Sequence, residues 1–193
     1  MGVIKTALEI ALEKTDEIKS DKSSIDQFEA KQKGKKLANS FLEGDVDLAG
    51  ELKKTPESQK NSLKQGVFDV LLSQIVLPDR KKNENRIELI GKGLDIIINN
   101  KQFTALYQQM EKVFVQYLQE AAQYEQLIRQ QYAPKLRQKE EELSRRLGRE
   151  VHIDPFQDPE FIAFYNQHMN TLKGNYEGVI TQVKEEILHL FSK

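Results

Sequence analysis

The sequence predicts an all-α, elongated fold in which an N-terminal helical base carries a long antiparallel coiled-coil hairpin. Two apolar seams carry that prediction. One runs Phe103, Tyr107, Met110, Phe114, Tyr117, Ala121, Tyr124, Ile128; the other runs Tyr165, Met169, Leu172, Tyr176, Val179, Val183. Spacings that alternate between four and three residues hold one stripe of a helix toward a partner helix. A third observation agrees with them: 193 residues contain only ten Gly and five Pro, so long helices meet few breakers. The expected division is a base over residues 1–100, with about four helices, and a hairpin over 101–193 connected near 148–158.

In chain order, Gly2 to about Ser20 places Val3, Ile4, Ala7, Leu8, Ala11, Leu12, Thr15 and Ile18 on one helical face. A second helical pattern, Ile25, Phe28, Leu37, Ala38, Phe41, Leu42, follows Ser23 and Ser24 as N-cap residues. Its centre, KQKGKK, is polar all round. Gly44 to Thr55 reads as a connection, with Gly44, Asp45, Asp47 and Gly50 as turn residues. Thr55-Pro56-Glu57 then reads as a helix start: a capping hydroxyl, a proline in the first helical position and an acid in the first turn. That helix carries Leu63, Val67, Val70, Leu71 and Ile75 and ends before Pro78. The next begins near Asp79, carries Ile87, Ile90, Leu94, Ile97 and Ile98, and ends at Asn99-Asn100. Its run LDIIINN has strand character, but no second such run lies nearby to pair with it, so helix is the expectation.

The long helix runs from about Lys101 to Leu147, a rod of roughly 70 Å at 1.5 Å per residue. Pro134 removes one backbone hydrogen bond within it and predicts a bend. Gly148 supplies a left-handed end, and Asp158-Pro159-Glu160 starts the return helix to about Phe191. A tight reversal at that connection sets Leu143 near Phe161 or Ile162, Tyr124 near Val183 and Tyr117 near Leu190. Phe103, Tyr107, Met110 and Phe114 then overhang the return helix. They are the residues expected to bind the base or recruit a second copy of the chain.

Composition excludes several classes of function. Without cysteine there is no disulfide, thiolate metal site or cysteine nucleophile. No apolar run approaches the ~20 residues of a membrane span. Lys5 and Glu9 interrupt the N-terminal apolar stretch, which does not read as a signal peptide, so a cytoplasmic location is expected. A net charge of −1 gives no reason for the whole chain to seek a polyanion. The chain contains no Walker loop, dinucleotide fingerprint, nucleophile elbow or HExxH, so no enzyme activity and no cofactor are expected. Met1-Gly2-Val3-Ile4-Lys5-Thr6 fits the short N-myristoylation pattern, but the helix behind it reads more simply as core-facing than as membrane-bound.

Two places near the hairpin's end can carry function. His152, Asp154, Asp158 and Glu160 gather oxygens and one imidazole, but capping and helix-dipole roles account for them without a metal. From Arg129 to Arg149 the chain holds seven basic and three acidic residues, an excess of four positive charges. Charge projected on an arm steers encounters, and Arg137, Arg145, Arg146 and Arg149 are the expected partner contacts. The partner is expected to be a protein. Nucleic acid is the weaker alternative, because neither stacking platforms nor a nucleic-acid motif accompanies the charge. The expectation is therefore a non-catalytic adaptor or scaffold that acts through a coiled-coil hairpin.

Overall fold

A computed structural model of the chain describes the backbone of residues 7–78 and 84–193 and the side chains of residues 24–78 and 85–193. The described residues are all-α, with no strand among them. The helices are α1 (Ala7–Glu43), α2 (Leu48–Lys54), α3 (Glu57–Ser73), α4 (Glu84–Ile98), α5 (Lys101–Leu147) and α6 (Pro159–Phe191). They divide into two compact units, one within Met1–Ile75 and Glu88–Asn100, the other within Val76–Ile87 and Lys101–Lys193. No helix among the described residues is long and apolar enough to cross a membrane. The N-terminal acylation pattern and the inward face expected of residues 2–20 lie outside the described side chains.

In the first unit, the expected break between two N-terminal helices is absent. α1 runs unbroken from Ala7 to Glu43, because Ser20 to Ser24 hold neither Gly nor Pro and serine costs a helix only tenths of a kcal/mol. The expected connection after Gly44 contains a further helix, α2. Asp47 caps it by accepting from the amides of Ala49 and Gly50, both at 3.1 Å. Thr55 serves this helix rather than the next: its hydroxyl donates to the Glu51 carbonyl at 2.9 Å. α3 starts after Pro56 without a side-chain cap.

α1 and α3 meet where their side chains are smallest. A Cβ on Gly34 would collide with the Leu63 carbonyl oxygen, and a Cβ on Gly66 with the Lys31 carbonyl oxygen. The two backbones therefore touch, each glycine Cα set against a carbonyl of the other helix, as Cα–H···O contacts require. Ala30, Ala38, Leu63 and Val67 are buried around this crossing, and Lys31 pairs with Asp69 at 2.8 Å across it. Ile90, Leu94 and Ile97 of α4 complete the apolar core. Asn99, at φ 47°, ends α4 in the left-handed region that asparagine tolerates better than most residues.

In the second unit, α5 passes through Pro134 without interruption. Its seam is buried at Phe103, Tyr107, Met110, Phe114, Tyr117, Ile128 and Tyr132. α6 packs against it antiparallel: Tyr117 meets Tyr176 at 5.1 Å between ring centroids, Tyr124 meets His168 at 6.2 Å, and Tyr132 meets Phe161 at 5.2 Å. The register differs from the tight-reversal expectation by roughly two heptads. Tyr124 faces His168 rather than Val183, and Tyr117 faces Tyr176 rather than Leu190. On α6 the buried positions are Phe161, Ile180 and Ile187, while Val179, expected in the seam, is exposed.

The register changes what the start of α5 has available. α6 reaches back far enough for His189, Leu190 and Lys193 to line a cavity with Gln102 and Leu106. Phe103, Tyr107, Met110 and Phe114 do not overhang. They are only 1–5% exposed within a single chain, and the Tyr107 hydroxyl donates to the Ile87 carbonyl at 2.6 Å.

Glycines at two kinds of site make a paired prediction. Gly66→Ala forces the α1–α3 crossing apart and should cost about 1–3 kcal/mol. Gly174→Ala meets nothing within 4 Å of the added Cβ on α6. It should gain up to about 1 kcal/mol from helix propensity. Thermal unfolding followed by circular dichroism should move in opposite directions for the two variants.

Candidate functional site

The end of the α5–α6 pair is built by the connection between the helices. Gly148, at φ 64°, closes α5, its amide donating to the Ser144 carbonyl at 2.9 Å. The chain does not reverse there. It runs back along α5, where the Val151 amide donates to the Ser144 hydroxyl at 3.0 Å and the Ile153 amide to Glu140 Oε1 at 2.8 Å. Asp154 then caps a single 3-10 turn, Pro155–Gln157, by accepting from the Phe156 amide at 3.0 Å. This backtracking consumes the length that a tight reversal would have given to helix pairing, and it sets the register.

An ionic clasp fixes where α6 begins. Asp158, its side chain 5% exposed, caps α6 by accepting from the Glu160 amide at 3.1 Å. The same carboxylate accepts from Lys139 Nζ at 2.7 and 2.9 Å and from the Tyr132 hydroxyl at 3.0 Å. Glu160 accepts from Lys135 and Lys139, both at 2.8 Å. Burial alone would raise the Asp158 pKa, but the Lys139 ammonium and the Tyr132 hydroxyl outweigh it and hold the carboxyl below its ordinary value. Glu160, bonded to Lys135 and Lys139, is pulled down to about 2. Lys139, bonded to both acids, is held above the usual lysine range. Burial raises Tyr132, and its bond to Asp158 adds to that shift.

Beneath the clasp lies an aromatic cluster. Phe161 packs edge-on to Tyr132 and Phe156, and Phe156 packs edge-on to Tyr165. Arg129 sits over the Phe156 ring at 4.8 Å and pairs with Glu125 at 2.9 Å. Phe161 and Ile128 are almost completely buried here, so the cluster is packed core.

The four arginines expected to make partner contacts are all exposed. Arg145 pairs with Glu141 at 3.7 Å and Arg146 with Glu142 at 2.6 Å. Arg137 and Arg149 form no ion pair with a described residue. They do not form one patch. Helical geometry separates Arg137 from Arg145 by about 80° and Arg145 from Arg146 by about 100°. Arg149 lies beyond the helix end. The returning segment also contributes Glu150, Asp154, Asp158 and Glu160, so Arg129 to Glu160 holds seven basic and seven acidic residues. The local positive excess is cancelled by chain folded beside it. His152, Asp154, Asp158 and Glu160 do not converge as a cation site, since Asp158 and Glu160 hold lysines and Asp154 holds a backbone amide. Among the described residues no group of three or more His, Cys, Asp or Glu is placed to hold a metal ion.

The Lys139–Asp158–Tyr132–Glu160 clasp was not visible as a unit in the sequence, where Lys139 counted only toward the basic run. The cap signal at Asp158 was legible; its partners depended on the register. The open end of the α5 seam was equally hidden. Leu143 is 37% and Leu147 56% exposed, because α6 starts two turns below them.

A family model matches residues 49–189. The chain belongs to DUF6657, a family of unknown function. No curated protein and no solved structure matches the chain. The DUF6657 match takes in the whole of α5 and its clasp together with most of α6, whereas α1 precedes it.

Acid should loosen the clasp first. Asp158 and Glu160 have folded pKa values below their unfolded ones, so their contribution is complete above the ordinary carboxylate range near 4. It is lost as pH falls through the folded values, to about 2 for Glu160. The Asp158→Asn/Glu160→Gln double variant should be less stable than wild type at neutral pH and lose less between pH 4 and 2. Thermal midpoints measured over that window check the sign.

Proposed function

We propose that this chain is a non-catalytic protein–protein adaptor or scaffold whose working element is the α5–α6 coiled-coil hairpin, acting in the cytoplasm. The observation that carries the reading is the seam of α5 continuing past the start of α6. Tyr132 and Leu136 are covered by the aromatic cluster, but Leu143 and Leu147, on the same face, are open. Two uncovered leucines one helical turn apart, ringed by arginine and glutamate, are the ordinary anchors of a helix seeking another protein surface. The equal numbers of acidic and basic side chains around them favour a protein of mixed charge over a phosphate backbone, whose binding draws on uncompensated positive charge.

Proteins that co-purify with the full chain from its native cells, reconstituted afterwards from purified components, provide the test. Leu143→Ser/Leu147→Ser should abolish capture while leaving helicity unchanged by circular dichroism. Replacing Arg137, Arg145, Arg146 and Arg149 together with Gln should weaken capture and reduce its dependence on salt. Capture undiminished by the leucine pair would overturn the reading. Capture undiminished by the arginine variant would reduce those four residues to a solvated face.

A further inference from the structure

We propose that the open end of the α5 seam is a self-complementary docking surface whose occupant is a second copy of this chain, the two α5 ends lying antiparallel about a two-fold axis near Ser144. The inference rests on the reading of that end as a docking surface and names what docks there. Leu143 and Leu147 prolong the same face as Tyr132 and Leu136, so the surface is continuous with an interface that already accepts an antiparallel helix. On one flank of that face, Glu140 and Ser144 are engaged by the returning amides of Ile153 and Val151. On the other flank, Glu142 and Arg146 face solvent, paired only with each other one turn apart.

The charge order on this open flank selects the partner. An antiparallel copy sets Leu143 against Leu147 of the second copy and Glu142 beside Arg146 of the second copy, each contact made twice by symmetry. A uniformly acidic or uniformly basic helix would leave one member of each pair against a like charge. The balanced charge from Arg129 to Glu160 removes the repulsion that the basic run alone would impose between two copies. Two leucines per copy with their flanking residues cover far less than the ~1,000 Å² of a stable interface, so the pairing belongs to the weak, reversible class.

Analytical ultracentrifugation of the full chain, carried to millimolar concentration, tests the proposal. Wild type should show a concentration-dependent dimer. Leu147→Glu, at an exposed position, should leave helicity intact and abolish the dimer. Arg146→Glu should weaken it about tenfold or more, and Glu142→Arg/Arg146→Glu should restore it, because the double exchange re-creates opposite charges across the axis. A chain monomeric at every concentration overturns the proposal, as does a dimer indifferent to Leu147→Glu or a double exchange no better than the single one. A monomeric wild type that still loses its co-purifying protein through Leu143→Ser/Leu147→Ser overturns self-pairing alone and leaves the docking reading in place.

Discussion

The α5–α6 unit depends on one carboxylate. Asp158 satisfies the first amides of α6 and at the same time receives Lys139 and Tyr132 from α5, so the residue that starts one helix also fixes its position along the other. A cap worth about 1 kcal/mol thereby becomes a register device. A slip of α6 by one turn would leave a buried carboxylate without its ammonium, a cost of several kcal/mol. The tyrosine and phenylalanine rings below can interdigitate in only one alignment once that point is set. Long seams of similar apolar residues are otherwise poor at choosing a register, and a polar residue placed in the seam is the usual remedy.

The backtracking connection follows from the same constraint. The chain from Gly148 to Gln157 must bring Asp158 to Lys139, two turns below the end of α5. It does so by borrowing side chains of α5, Ser144 and Glu140, for its own amides. Those residues lie on one flank only, so the returning chain covers one side of the α5 end and leaves the other to solvent. The exposure of Leu143 and Leu147 is thus the geometric remainder of how the connection is held, and the neutral charge of the region has the same origin.

The helices were legible where local chemistry decides them. The α5 seam, the left-handed glycine at 148, the Asp158 cap and the helical state of the isoleucine run in α4 could all be read from spacing and cap residues. Register was not legible, because it depends on the path of a connection whose hydrogen bonds go to side chains one to three turns back on another element. The α1–α3 crossing was hidden for a different reason. Gly34 within a polar lysine run reads as a weak spot in a helix, and nothing local reveals that another glycine, Gly66, will meet it. For the candidate site, the excess of four positive charges from Arg129 to Arg149 was legible, but not its neutralisation, since the four acids that follow within eleven residues, Glu150 to Glu160, lie on a connection whose path back along α5 local spacing does not reveal.

The aromatic inventory of the two units is unequal. All six tyrosines lie on α5 or α6, and the chain contains no tryptophan. Near-ultraviolet absorption and intrinsic emission therefore originate almost wholly from the second unit, while the first contributes chiefly to the far-ultraviolet signal. The protein carries its own optical separation: one wavelength range follows the paired helices alone, another follows every helix. Denaturation of the two units can be resolved in an unlabelled chain, and a mismatch between the two signals would show that they do not melt as one cooperative body.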